Sequence, residues 1–205
     1  MAAPSTAEEA SRDGRRARRE RGRQAVVDAM VDLIQAGHGV PTPEAVAGQA
    51  GVSVASLFRY FPTLDDLRGQ VSARVQERYA DHFEIPDLAE GPLGPRIDRF
   101  VRARVSLWDT IAPIWRLTRA RAHGHPEAAD LLRELQRRLA AQVATHFAPE
   151  MAARKPAAAA DLVALITATT SFEAWDILLH ELDRSPSRVV RTWTSALHAL
   201  LAPAG

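Results

Sequence analysis

The fold is decided by one short stretch, Gly51–Leu67, which reads GVSVASLFRYFPTLDDL. Gly51 supplies the left-handed backbone that a tight turn between two helices requires. Ser53 is a good N-cap, because a serine side chain can accept a hydrogen bond from a free amide in the first turn of a helix. The stretch therefore predicts a tight turn followed by a short helix over about 54–60.

Helices are also predicted on both sides of this turn. Upstream, Thr42 can cap a helix that begins at Pro43, since proline fits the first helical position. Downstream, Thr63 and Asp66 have the spacing of a capping box. A longer amphipathic helix is predicted over about 15–36. Six small or apolar residues would bury the two short helices against it: Val46, Ala47, Ala50, Val52, Leu57 and Phe61.

The stretch Gly51–Leu67 resembles the recognition segment of TetR-family transcriptional regulators. The shared features are Gly-Val-Ser, a few variable residues, an aromatic residue, one further residue, Tyr-Phe and then a capped helix. The upstream segment Thr42–Ala47 fits the same pattern. Helical patterns run through almost the whole chain and no strand-period stretch stands out, so the predicted fold class is all-α. The resemblance implies an N-terminal three-helix helix-turn-helix bundle joined to a larger C-terminal helical domain. It also implies a homodimer held by a four-helix interface.

The resemblance implies DNA contacts at the starts of the two short helices and along the second one. A serine cap and the neighbouring amides would hold phosphate, and small side chains would face base edges in the major groove. The predicted DNA-binding residues are Thr42, Ser53, Val54, Ala55, Ser56, Phe58, Arg59 and Tyr60. Phe58 and Leu64 depart from the family, which usually has Tyr and Lys there, so neither can make the polar bond to the DNA backbone that those residues provide.

A basic segment precedes the helix-turn-helix. Residues 12–23 contain seven arginines and two acidic residues, although the whole chain has a net charge of only +1. Such an arm suits the phosphate backbone, because each phosphate it neutralises releases counterions. A solvated tail without a role in binding is the alternative.

We expect three segments: a disordered tail at 1–14, a helix-turn-helix domain at 15–68 and a ligand-binding and dimerisation domain at 69–205. The clearest linker is 85–95, with three prolines and two glycines. The fourth helix is predicted to reach about Phe83. Pro113 is expected to kink or split the helix that follows the linker.

The last two helices are predicted over about 159–183 and 187–201. The resemblance implies that they pack against their copies as a four-helix interface; the alternative is that they complete the core of one subunit. We expect Trp193 to lie at the dimer interface. The aromatic residues of this half suggest the wall of a pocket for a small apolar or aromatic effector, although ordinary core packing is the alternative. The predicted ligand-binding residues are Phe100, Trp108, Trp115, Phe172 and Trp175. Polar residues that would orient a ligand are His123, His146, Glu173 and Asp176.

The sequence argues against other classes of function. The chain has no cysteine, no phosphate-cradling glycine loop and no nucleophile motif, so we predict that it is not an enzyme. His123 and His125 lack further ligands, and we predict neither metal nor cofactor. No apolar run is long enough to span a membrane, and a cytoplasmic location is expected. The predicted function is a dimeric repressor released from a palindromic operator by a small ligand; the alternative is a helical protein-binding adaptor without ligand response.

Overall fold

The computed structural model describes residues 6–37 and 39–202, and this part of the chain is helical without any strand. The predicted all-α fold class is confirmed. The α-helices are α1 (Thr6–Gln35), α2 (Pro43–Gln49), α3 (Val54–Tyr60), α4 (Leu64–Arg78), α5 (Leu93–Ala122), α6 (Pro126–His146), α7 (Ala148–Ala152), α8 (Pro156–Thr169), α9 (Phe172–Asp176) and α10 (Pro186–Leu201). A 3-10 turn follows α4 at Ala80–Phe83, and a π-helical turn follows α9 at Ile177–Glu181.

The N-terminal segment differs from the predicted disordered tail at 1–14. Residues 6–14 belong to α1, while residues 1–5 lie outside the described part of the chain. Five of the nine residues at 6–14 are alanine, glutamate or arginine, which lose little side-chain freedom in a helix.

The chain divides into two compact units between Tyr79 and Ala80, rather than at the predicted boundary after residue 68. Helix α4 belongs wholly to the first unit, because Leu67 and Val71 are buried there. It ends at Arg78, so the helix predicted to reach Phe83 is completed by the separate 3-10 turn.

Two ion pairs fasten α4 to α1. Arg74 Nε lies 2.7 Å from Asp28 Oδ1, and Arg78 Nη1 lies 2.5 Å from Asp32 Oδ1. The partners are four residues apart on each helix, about one turn of an α-helix, so the two pairs fix the register of α4 along α1.

Helix α5 is the centre of the second unit and packs against α6 and α10. Its buried face carries eleven residues: Arg96, Ile97, Phe100, Val101, Arg104, Val105, Leu107, Trp108, Ile111, Ala112 and Trp115. Of the kink or split expected at Pro113, the split does not occur, because α5 continues through this residue. A proline removes one hydrogen bond of the ladder, and the long buried face on both sides outweighs that loss.

The long helix predicted over 159–183 is broken at Thr170 and Ser171. Ser171 Oγ accepts a hydrogen bond from Ala174 N at 3.2 Å and so caps α9. The indole Nε1 of Trp108 donates to Thr170 O at 2.9 Å. The break therefore replaces two lost bonds of the helix ladder with side-chain partners.

Helix α10 buries its apolar stripe inside its own unit. Val189, Trp193, Leu197 and Leu201 are buried in the single chain, where α10 contacts α5 and α8. The expectation that Trp193 lies at a dimer interface is therefore wrong, because its ring already fills the core of one subunit.

No single described helix is long and apolar enough to cross a membrane. Helix α8 together with the segment Phe172–Glu181 meets the length and composition criteria only as a pair bent by 40°.

His146 joins the end of α6 to the start of α5. Its Nδ1 accepts from Ala89 N at 3.1 Å, so its Nε2 carries the proton and donates to Arg96 O at 2.9 Å. Burial lowers the pKa of His146, and the charges of Arg96 and Arg99 lower it further, whereas the bond to the Arg96 carbonyl opposes them. The folded protein therefore holds this histidine neutral.

The free energy of unfolding is expected to decrease as the pH falls below about 6.5, the ordinary histidine pKa. Below that pH the unfolded chain binds a proton at residue 146 that the folded chain resists, whereas above it both states are neutral. Urea unfolding between pH ~7.5 and ~5.5 measures this slope. His146→Gln should reduce the slope, and a slope equal to that of the unsubstituted protein would contradict the assignment.

Candidate functional site

The turn between α2 and α3 has the hydrogen bonds of a Schellman motif. Gly51 has a φ of 66°, and its amide donates to Gly48 O at 3.2 Å. The amide of Val52 donates to Ala47 O at 3.0 Å. These are the two bonds of the motif, and the positive φ explains the glycine. The predicted tight turn is present.

The predicted core beneath this turn is present in large part. Val46, Ala47, Leu57 and Phe61 are buried, whereas Ala50 and Val52 are only half buried. Helices α2 and α3 both contact α1 and each other. The first unit is therefore a helix-turn-helix supported by α1.

The outer face of this helix-turn-helix carries the residues predicted to bind DNA. Five of the eight are exposed, namely Thr42, Ser53, Ala55, Phe58 and Arg59, and the other three are half buried, namely Val54, Ser56 and Tyr60. None of the eight side chains is buried in the core of the first unit, so all eight are candidates for contact with DNA.

A short network of polar side chains lies along the exposed face of α3. Ser53 Oγ accepts from Ser56 N at 3.1 Å and so caps the helix. Arg59 Nη2 donates to Ser56 Oγ at 2.9 Å. The serine hydroxyls are thus engaged within the helix, and Ser56 holds the guanidinium of Arg59 close to the helix surface. At the start of α2, Thr42 has the same capping role through Ala45 N.

Tyr60 is packed against α1, where Gly22 makes room for it. A Cβ atom built at Gly22 would lie 2.6 Å from Tyr60 Oη. Arg23 Nη1 donates to Tyr60 O at 2.6 Å, and its guanidinium lies 4.6 Å from the centre of the Phe61 ring. A cation at the C-terminal end of α3 is favourable, because the last carbonyls of a helix carry partial negative charge.

The arginines of the arm therefore differ in exposure and in role. Arg23 is half buried and stabilises α3, so it does not belong to the exposed basic surface. Five other arginines are exposed on α1: Arg15, Arg16, Arg18, Arg19 and Arg21. The side chain of Arg12 lies outside the described part of the structure.

Two apolar side chains stand exposed beside this surface at the positions that depart from the family. Phe58 is 44% exposed and Leu64 is 45% exposed. The rest of the first unit covers neither side chain. Both can therefore make apolar contacts, but not hydrogen bonds, with a molecule bound to this surface.

The second unit contains a cavity of about 440 Å³. Its lining comes from α5, α6, α8, the break after α8 and the start of α9: Arg104, Trp108, Trp115, Gln136, Leu139, Ala140, Val143, Ala164, Thr167, Ala168, Thr170, Ser171, Phe172 and Glu173. A small molecule fits a cavity of this size.

Three of the five predicted ligand-binding aromatics line this cavity and contact each other. The ring centres of Trp108 and Trp115 are 5.0 Å apart, and Phe172 lies 5.7 Å from Trp108 and 6.0 Å from Trp115. Trp175 packs behind Phe172 at 5.5 Å and donates to Asp109. Phe100 packs instead against His146 and Phe147. These last two aromatics are not in the lining.

The predicted polar residues are mostly used elsewhere. His146 serves the α5–α6 junction, and Asp176 pairs with Arg116 at 2.6 Å. Glu173 lines the cavity but is paired with Arg119. The prediction missed Arg104 in the lining; the available signal was that it interrupts the apolar stripe of α5.

Known proteins provide a comparison at the level of structure only. No protein-family model and no curated protein matches the sequence. Three solved structures are similar. A TetR-family transcriptional regulator from Streptomyces coelicolor is 20% identical, with a TM-score of 0.70 over 88% of this chain and 80% of that one. A transcriptional regulator from Rhodococcus sp. Rha1 is 17% identical, with a TM-score of 0.63 over 87% and 95%.

The third similar structure is the multidrug binding protein EbrR, complexed with imidazole. It is 21% identical, with a TM-score of 0.54 over 89% of this chain and 96% of that one. None of the three is named as an enzyme. Such low identity establishes the fold alone, and the fold is the one predicted from Gly51–Leu67: the chain has the architecture of a TetR-type regulator.

The packing of Tyr60 on Gly22 predicts a difference between two helical glycines. Gly22→Ala should lower the free energy of unfolding, because its methyl group displaces the Tyr60 ring. Gly69→Ala in α4 meets no atom within 4 Å, and should gain about 0.5–1 kcal/mol from helix propensity. Urea unfolding of both variants measures the difference. Equal stabilisation of the two variants would show that Tyr60 does not pack on α1.

Proposed function

We propose that this protein is a DNA-binding transcriptional regulator of the TetR type, a homodimer that acts as a repressor and is released from a palindromic operator by a small ligand. The observation that carries the proposal is α3, a seven-residue helix held by a glycine turn and a serine cap, with its outer face uncovered. A helix presented in this way suits the major groove of B-DNA.

The outer face of α3 divides into residues that read bases and residues that position the protein. Val54 and Ala55 are small and apolar, and they would contact base edges such as thymine methyl groups. Arg59 would contact phosphate or a base from its place beside Ser56. Exposed Phe58 would add apolar contact with sugars or base edges.

The arginine arm supplies affinity that does not depend on sequence. Arg15, Arg16, Arg18, Arg19 and Arg21 are all exposed on α1. Each phosphate contact releases condensed counterions, so binding through this arm depends strongly on salt. The arm would thereby replace the polar bonds to the DNA backbone that Phe58 and Leu64 do not provide.

A dimer is proposed because an operator palindrome requires two recognition helices related by a twofold axis. Helix α8 carries three exposed residues that do not line the cavity, Ala157, Asp161 and Leu165, and their spacing of four places them on one helix face. Leu165 is 49% exposed, and Ile177 and Leu182 are similarly uncovered. We assign the dimer interface to α8 and the outer face of α10, together with the segment 177–182 between them. The two helices of each protomer would pack against their copies as a four-helix interface.

The cavity of the second unit supports the ligand-released mechanism. Its aromatic wall suits a flat apolar molecule. Release requires that the ligand bind the form with low DNA affinity more tightly than the form with high DNA affinity; equal affinity for both would shift no population.

Selection of bound fragments from a random DNA library by the purified full-length protein tests the DNA proposal. Enrichment of a palindromic sequence is expected, and a gel shift with that sequence should be abolished by an excess of it but not of unrelated DNA. No enrichment at low salt would overturn the proposal in favour of a protein-binding adaptor.

The arm is tested by replacing Arg16, Arg18, Arg19 and Arg21 together with glutamine. The plot of log affinity against log salt should become shallower by about 0.9 for each phosphate that the arm no longer neutralises. A matched control replaces four exposed arginines of the second unit, Arg102, Arg133, Arg137 and Arg138, and should leave the slope unchanged. An unchanged slope in the arm variant would mean that α1 does not touch phosphate.

The dimer is tested by Leu165→Arg, which places a charge in the proposed interface. The particle mass in sedimentation equilibrium should fall from that of two 22.4 kDa chains to that of one. Leu88→Arg is the matched control, because Leu88 is 40% exposed in the loop before α5, and it should remain dimeric. A dimeric Leu165→Arg variant would place the interface elsewhere.

A further inference from the structure

We propose that the cavity of the second unit takes an aromatic ligand that carries an anionic group, a carboxylate, and that Arg104 binds this group. The inference rests on the proposed function, since it names the chemical class of the ligand for the same cavity. It depends on the burial of the Arg104 guanidinium and on the acidic partner and hydrogen-bond acceptors that the described residues do not give it.

Arg104 is a buried cation without an acidic partner. It is 4% exposed and lines the cavity. None of the ion pairs in the described part of the chain includes it, and burial alone lowers its pKa to about 10, with no nearby carboxylate to raise it. The side chain is therefore charged at neutral pH. Burying a charge without a counter-ion is costly, and proteins normally provide a partner.

The hydrogen bonds of Arg104 are also incomplete. A guanidinium has five N–H donors. The described residues give Arg104 one acceptor, Gln142 Oε1, at the long distance of 3.4 Å. Its guanidinium lies 5.0 Å from the centre of the Phe100 ring, which steadies the group but accepts no conventional hydrogen bond. Several donors thus remain for a molecule in the cavity.

Arg96 shows what a structural buried arginine looks like in the same helix. It pairs with both carboxylate oxygens of Glu150, at 3.1 and 2.5 Å. It also donates to Gly91 O at 3.0 Å and to His146 O at 2.6 Å. The chain thus surrounds one buried arginine of α5 with acceptors and leaves the other facing a cavity. A carboxylate ligand would supply the bidentate acceptor that Arg104 lacks.

The remaining lining suits the aromatic body of such a ligand. Trp108, Trp115 and Phe172 form an apolar aromatic wall. The indole Nε1 of Trp115 is buried and has no hydrogen-bond partner among the described residues, so it is a second donor without an acceptor. Glu173, the acidic residue of the lining, has its charge balanced by Arg119, although its buried Oε1 accepts no hydrogen bond among the described residues. Arg104 has no acidic partner in the described part of the chain, so the uncompensated charge at the cavity is positive, which favours a carboxylate over an ammonium group.

Isothermal titration calorimetry on the full-length protein tests this with three probes that share one ring system: naphthoate, naphthylmethanol and naphthylmethylammonium. Naphthoate should bind at least about tenfold more tightly than the neutral alcohol, because charge-assisted hydrogen bonds are the stronger ones. The ammonium probe should bind most weakly. Arg104→Met should abolish the preference, whereas Arg102→Met, on the exposed side of the same helix, should retain it.

The melting temperatures of Arg104→Met and Arg96→Met separate ligand binding from folding. Arg104→Met should keep or raise the melting temperature, because it removes a buried charge that has no counter-ion. Arg96→Met should lower it, since Glu150 is then left unpaired. If Arg104→Met lowers the melting temperature as much as Arg96→Met, Arg104 is structural and the proposal is overturned.

The proposal is equally overturned if the three probes bind alike, if the ammonium probe binds best, or if naphthoate does not bind at millimolar concentration. The DNA selection experiment is independent of these titrations. A carboxylate preference without operator binding would support this inference and refute the regulatory role, whereas operator binding without the preference would do the reverse.

Discussion

The hydrogen bond from Trp108 Nε1 to Thr170 O is the contact on which the second unit depends. It satisfies a carbonyl at the point where α8 stops, in a residue that is buried. A buried carbonyl without a partner costs about 1–3 kcal/mol, so the break would be unfavourable without this donor. The same bond fixes the indole of Trp108 in the wall of the cavity. Helix termination and cavity shape are therefore two consequences of one contact.

The helix-turn-helix of the first unit can be predicted from the sequence, because its signals are local. Gly51, Ser53 and Thr63 each act on the backbone within a few residues, and all three have the predicted conformation or hydrogen bond. The boundary after α4 cannot be predicted in the same way. It depends on Asp28 and Asp32 meeting Arg74 and Arg78, each 46 positions further along the chain, and no local pattern records such a pairing.

The second unit is predicted less well, and the errors have physical causes. The segment 159–183 has helical periodicity throughout, so the pattern alone shows no break. The break is stabilised by Trp108, which comes from another helix. Trp193 suits an interface because it is large and apolar, yet the core of one subunit accommodates it. Periodicity identifies the apolar side of a helix, but it does not say whether the partner belongs to the same chain.

Arg104 illustrates a signal that the sequence contains and periodicity alone does not interpret. A charged residue inside the apolar stripe of α5 has two explanations, an internal counter-ion or an external one. The sequence cannot separate them, because Glu150, the counter-ion of Arg96, lies 54 positions away. The structure distinguishes the two explanations, because the guanidinium of Arg96 is paired with Glu150, whereas that of Arg104 lines the cavity without an acidic partner among the described residues. Retaining a buried charge without a counter-ion in the free protein lowers stability, so such a residue is best explained by the affinity and selectivity that it gives the cavity towards an anion. The two arginines of α5 thus have opposite roles, although each occupies a buried position on the same helix.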